Sequence, residues 1–328
     1  MLPAVAVSTG LTLVIFLTGL FVVFTPLPVA FTFVRKGTGA ALVVSIAALA
    51  GLVVLYRLPG EPVTFLPMMV FRPSVPLKGV MALSVVYLVY YLWLGWVVGL
   101  SSRRTGRWSS LEPSVAFMTF LGLAVPAAGL FAFVFATQMN LWENLGAGLQ
   151  DLFRRMIDLQ QSAGLSEEDA AFLRASAPLV VTRFLQVLPA LWVDLTLAVL
   201  SLVVLFLRRW TREERLFPNW PDFGLWRLSE SWIWAPIGAG ALYFLNAYAV
   251  TSPVLGIAVL NVLIVLAAVY FFQGLAVASF FFRSRLSPLM RMAGYLIFFI
   301  FIQVGLVLLM AVGLSDFWFD FRKLKKVA

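Results

Sequence analysis

The chain contains no cysteine and no histidine. That removes disulfides, thiolate nucleophiles, Cys/His metal sites, histidine-ligated haem and Ser-His-Asp catalysis together. Charge is scarce as well, since Asp, Glu, Lys and Arg make up only 12% of the 328 residues. Phosphate-cradling GxxxxGKS/T loops, GxGxxG turns and GxSxG elbows are also missing. Carboxylates, Arg, Lys and Tyr are the reactive groups left. The chain is read as a non-enzyme, with no catalytic residue, resident metal or cofactor expected.

What is there instead is apolar. Hydrophobic residues account for 62% of the chain and the mean hydropathy is +0.97. Surface of that kind needs lipid as its solvent, and crossing the hydrocarbon layer takes about 20 residues of helix. Eight apolar segments meet that length, at roughly 4–24, 38–56, 79–100, 114–136, 180–207, 232–250, 254–281 and 292–314. They run without the alternation of barrel strands, and only helices satisfy such a backbone internally. The expected fold is an all-α polytopic transmembrane bundle forming one membrane domain over 1–328. The first segment has no basic residues before it and reads as a retained span.

The net charge of +9 comes from 24 basic and 15 acidic residues. The basic ones cluster at the ends of apolar segments, where they meet lipid headgroups, so no nucleic-acid partner is expected. Their distribution leans only slightly toward both termini outside, and orientation is left open.

Four linkers stand out. Pro26-Leu27-Pro28 leads an apolar stretch closed by Arg35-Lys36-Gly37, and Leu58–Lys78 is rich in proline. Each is either an interfacial loop or a segment dipping into the membrane. The polar insertion 137–178 carries Leu141, Leu145, Leu149, Leu152 and Met156 at helical spacing, then Ser166 ahead of Glu167-Glu168-Asp169 as an N-cap. Two short amphipathic helices are predicted there. Trp210, Trp220, Trp226, Trp232 and Trp234 lie among arginines and suit a headgroup layer.

Ionisable and amide groups within spans are the candidate ligand-binding residues, because each costs free energy in hydrocarbon. Asp194 sits inside the fifth span, with Arg183 three turns earlier near the same face and Gln186 and Pro189 between them. Asn246, Asn261, Gln273 and Gln303 occupy the last three spans. Each is either a bond between helices or part of one lined pocket drawing on Arg183, Asp194, Asn246, Asn261 and Gln273. Small residues Ala4, Ala6, Ser8 and Gly10 on the first span would let a helix, from this chain or a partner, approach closely. The tail at 315–328 reads as interfacial: Phe317, Trp318, Phe319 and Phe321 in the headgroup layer, with Asp316 and Asp320 wet and on one helix face, either salt-linked to Lys323 or forming a site for a metal or a phosphorylated partner.

Three passages carry a resemblance: Pro26-Leu27-Pro28 with Arg35-Lys36-Gly37; Tyr270-Phe271-Phe272-Gln273-Gly274-Leu275-Ala276-Val277; and the ending Gly313-Leu314-Ser315-Asp316-Phe317-Trp318-Phe319-Asp320-Phe321-Arg322-Lys323-Leu324. Together they resemble the YybS-like family of bacterial multi-spanning membrane proteins, itself distantly similar to energy-coupling-factor transporter S subunits and to the cell-shape protein MreD. The first likeness implies a bacterial inner-membrane component that binds a small molecule for transport, with coupling subunits held through Ala4, Ala6, Ser8 and Gly10. The second implies a membrane scaffold for a cell-envelope complex, docking partners through surfaces such as Trp226 and Phe319.

Overall fold

The computed structural model describes residues 2–19, 21–57, 77–103, 111–211 and 220–324. Every regular element among them is helical. Among the described residues seven helices are long and apolar enough to cross a membrane, and two shorter apolar ones cover Pro3–Thr18 and Pro288–Ile300. The chain divides into two compact units, Met1–Leu185 with Leu195–Asn219, and Gln186–Asp194 with Trp220–Ala328.

The first unit begins with α1 (Leu2–Thr18). Gly19 takes a left-handed φ of 69°, so the segment expected at 4–24 does not continue as one helix. After a short 3-10 turn comes α2 (Pro26–Lys36). Prolines are tolerated in a first turn, where backbone N–H groups have no helical partner. Arg35 and Lys36 complement the dipole at the other end, and Gly37 terminates it at φ 89°. The Pro-rich passage is thus helical, and Leu27, Val29, Ala30 and Phe33 are buried.

α2 packs against α1, α3 (Thr38–Arg57) and α4 (Leu77–Ser102). Gly95 lies against the Pro26 carbonyl and Val29, and Gly99 against the Phe33 ring, so each needs to lack a Cβ. Hydroxyls join the helices. Thr32 pairs with Ser8 at 2.9 Å, Trp96 donates to Ser45 Oγ at 3.1 Å, and Tyr56 meets Ser84 at 2.8 Å. The Leu58–Lys78 expectation falls almost wholly outside the described residues.

α5 (Leu111–Thr137) leads into the polar insertion. α6 (Leu141–Ser162) is capped by Asn140, whose Oδ1 accepts from Glu143 N. It ends at Gly164, φ 111°, with Leu165 N returning to the Gln160 carbonyl. Ser166 caps the next helix, accepting from Asp169 N at 3.1 Å. That helix, α7 (Glu167–Trp210), is 44 residues long. The second short helix expected in the insertion is therefore the first part of α7, which runs unbroken through Pro178 and Pro189. Arg174 ties it back to α6 through Asp158 and Gln161, both at 2.8 Å.

In the second unit, α8 (Trp234–Leu245) and a π turn over Asn246–Val250 precede α9 (Pro253–Arg285). α10 (Pro288–Ile300) and α11 (Ile302–Phe319) follow. The segment expected at 292–314 is broken at Phe301, φ −106° and ψ 39°. The break lets the Phe298 ring fold onto the bare Cα of Gly305. In a straight helix those residues would be about 10 Å apart. α9 and α11 pack backbone to backbone, since a Cβ at Gly274 would strike the Leu309 carbonyl and one at Gly313 the Tyr270 carbonyl. Leu228, Ala239, Leu266, Tyr270 and Phe317 form the core beside them.

Candidate functional site

Three polar arrangements lie in the second unit, each built by a different amide. At the first, Asn246 closes the α8–α9 turn. Its carbonyl accepts from Thr251 N at 2.8 Å and its Oδ1 from Ser252 N at 2.9 Å. Thr251 sits at φ 50° to complete the reversal.

The second centres on Asn261 in α9. Pro189 has no N–H and its ring crowds the carbonyl four residues back, so α7 is weakened here. The Asn261 amide meets the backbone of α7 on either side of this proline. Its Nδ2 donates to the Gln186 carbonyl at 2.7 Å and its Oδ1 accepts from Ala190 N at 2.9 Å. A second Nδ2 bond runs to the Ile257 carbonyl at 2.8 Å. The amide thus bonds both a donor and an acceptor of α7 that lie four residues apart. Asp194 lies one helical turn beyond Ala190 on the same face of α7. It is half-buried, and its shielded Oδ1 has no hydrogen-bond partner among the described residues.

The third joins Gln273, Asp316 and Arg322. Gln273 is fully buried. It accepts from Leu228 N at 3.1 Å and donates to Asp316 Oδ2 at 2.9 Å. The same oxygen receives Arg322 Nη2 at 2.7 Å, while Asp316 Oδ1 accepts from Phe321 N at 3.2 Å. Arg322 Nη1 donates to the carbonyls of Gly224 and Trp226 at 2.8 and 2.7 Å. Both members of this ion pair are wholly shielded. The tail expectation is corrected here: Asp316 is buried and bound to Arg322, not wet and paired with Lys323. Asp320 adopts φ 41° after the helix ends, and that reversal carries Arg322 back to the loop before α8.

Of the predicted ligand residues, the structure does not bring Asn261 and Gln273 together. Asn261 and Gln273 are twelve positions apart on α9, about 18 Å along its axis, and each amide has its own bonds within the chain. Arg183 belongs to the first unit. On α1, Ser8 is buried against Thr32, whereas Ala4, Ala6 and Gly10 are exposed. Trp226 is half-buried, stacked on Phe223 with ring centroids 6.3 Å apart, and Phe319 is 70% exposed. The Trp-rich stretch is split likewise, with Trp220 buried and Trp234 exposed. Gly274, Gly313 and the joining of Arg322 to Asp316 went unassigned by sequence reasoning. An acidic residue near the end of an apolar run, with an arginine six positions on, was the available signal.

The fold and these polar joints define a multi-pass helical membrane protein. Residues 60–317 match the family described as Predicted membrane protein (DUF2232), and the chain belongs to it. No curated protein and no solved structure matches the chain.

Proposed function

We propose that this protein is a non-enzymatic component of the bacterial inner membrane that binds a small molecule among its helices, in the manner of an energy-coupling-factor S subunit. The observation that supports this reading is Asp194, an acidic side chain in a span with a shielded oxygen lacking a partner among the described residues. An ionisable group at membrane depth costs at least about 2.5 kcal/mol, and such groups are usually kept for a ligand or proton. The amides first grouped with it are occupied in structural bonds, so the recognition role concentrates on Asp194. The complementary ligand group is a hydrogen-bond donor, neutral or cationic. Active transport would draw on separate ATPase and coupling subunits, because no nucleotide-binding motif is present in the sequence.

The test is native mass spectrometry of detergent-purified protein, comparing the wild type with Asp194→Ala. A small molecule should be retained by the wild type and lost from the variant, at equal thermal stability. Retention by both, or by neither, overturns the reading. A MreD-like scaffold is a second reading, favoured by Phe319 standing exposed and stacked on Phe321, their centroids 5.6 Å apart. On that reading Phe319→Ala loses a co-purifying membrane subunit and Asp194→Ala does not.

A further inference from the structure

Beside the Asp316–Arg322 pair lies a set of donors that the ion pair does not use. Trp226 Nε1, Arg227 Nε, Arg227 Nη2 and Arg322 Nε are all shielded and lack a hydrogen-bond partner among the described residues. The three residues adjoin. Trp226 and Arg227 are consecutive, and Arg322 Nη1 is bonded to the Trp226 carbonyl at 2.7 Å. Shielded N–H groups left unpaired are costly, more so when charged. Four of them in adjoining residues call for an acceptor.

The pattern identifies which acceptor. Arg322 is balanced by Asp316 at 2.7 Å, but the carboxylate recorded with Arg227 is Asp320 Oδ1, at 3.5 Å from Nη1. That oxygen also accepts from Leu324 N at 3.1 Å. The parts of Arg227 without a partner are Nε and Nη2, the two parallel donors of a guanidinium's side edge. That edge matches two oxygens of a phosphate or carboxylate at once, a match that an ammonium cannot make. The indole N–H of Trp226 and Nε of Arg322 add single donors. Indole and guanidinium together also suit the headgroup level of a bilayer.

We propose that Trp226, Arg227 and Arg322 form a binding site for a phosphate oxyanion, with the Nε–Nη2 edge of Arg227 as its principal contact. This site is separate from the ligand reading for Asp194 and does not depend on it. The phosphate is that of an anionic phospholipid or of a soluble phosphate, and the two sources separate experimentally.

Full-length protein is reconstituted in phosphatidylcholine nanodiscs with phosphatidylglycerol as a minor lipid, released and examined by native mass spectrometry. A parallel sample in detergent is titrated with inorganic phosphate. Retained phosphatidylglycerol identifies a lipid source, and saturable phosphate binding a soluble one; either supports the site. Arg227→Lys keeps the charge but loses the paired edge, and should weaken the bound species about tenfold, as expected for losing a charge-assisted hydrogen bond. Trp226→Phe keeps the ring and removes one donor, giving a smaller loss in the same direction, and it carries the test alone should Arg227→Lys not fold. No bound phosphate species in the wild type overturns the proposal. So does binding that neither substitution changes, or a folded Arg227→Lys protein that binds as tightly as the wild type.

Discussion

Arg322 and Asp316 meet at 2.7 Å with both side chains wholly shielded from solvent. Removing one member of such a pair strands the other charge, at a cost of about 3–5 kcal/mol. Asp316→Ala is therefore expected to lower stability by that amount. Replacing both, as Asp316→Leu with Arg322→Met, should cost clearly less than the sum of the single losses, because no charge is left stranded. Denaturant unfolding in detergent micelles reads both values. Additive losses would mean that the two charges act independently, contrary to this geometry.

The α9–α11 crossing makes a second expectation, because no flexible side chain separates the two backbones. A Cβ at Gly274 or Gly313 meets a main-chain carbonyl of the opposite helix, so the helices must move apart. Gly274→Ala and Gly313→Ala should each destabilise by about 1–3 kcal/mol or more, as overpacking does. Gly129 in α5 has open space around it, and Gly129→Ala should stay within about 0.5 kcal/mol of the wild type. The fraction remaining monodisperse after heating ranks the three. Equal behaviour of all three would contradict the crossing.

The membrane class and most of the spans were legible because hydrophobic length is a local property. So was the Ser166 cap, since its donor lies three residues away. The break at Phe301 was not, for neither glycine nor proline stands at it, and the contact of Phe298 with Gly305 that accompanies it exists only once the chain has bent. The fifth span, expected from 180, is longer than its apolar run suggests, since α7 begins at Glu167 and continues through Pro178. The tail was misread for a related reason. Aromatic residues interleaved with charges look interfacial, and the burial of Asp316 and Arg322 depends on carbonyls at 224 and 226, nearly a hundred positions upstream. Amides in spans carry the same ambiguity, because composition does not say whether an amide faces a ligand or the backbone of a neighbouring helix.

The absence of native cysteine makes each introduced thiol unique, which gives α9 a direct topological test. Its 33 residues extend about 50 Å, against a hydrocarbon layer of about 30 Å. Val254, 77% exposed at its start, and Leu289, 71% exposed just beyond its end, should face opposite compartments. Val254→Cys and Leu289→Cys should then react with a membrane-impermeant maleimide from opposite sides of oriented vesicles. Labelling from one side only would remove α9 from the set of spans.

Asn261 and Pro189 are expected to be coupled, since the amide bonds the backbone of α7 on either side of the imino acid. Asn261→Leu removes the acceptor of Ala190 N and a donor to the Gln186 carbonyl, leaving both groups unmatched beside a proline that resists closure of the ladder. A loss of about 1–3 kcal/mol is expected from the stranded backbone groups. With Pro189→Ala added, residue 189 gains an N–H for the Leu185 carbonyl, and no ring opposes a direct bond from Ala190 N to the Gln186 carbonyl. The double variant should then be more stable than Asn261→Leu alone, by about 1 kcal/mol if one backbone hydrogen bond is regained. Unfolding of the four proteins of this cycle measures the coupling. A Pro189→Ala change that costs the same with and without Asn261 would show that the amide is not compensating for the proline, and that its three bonds serve packing between α7 and α9 alone.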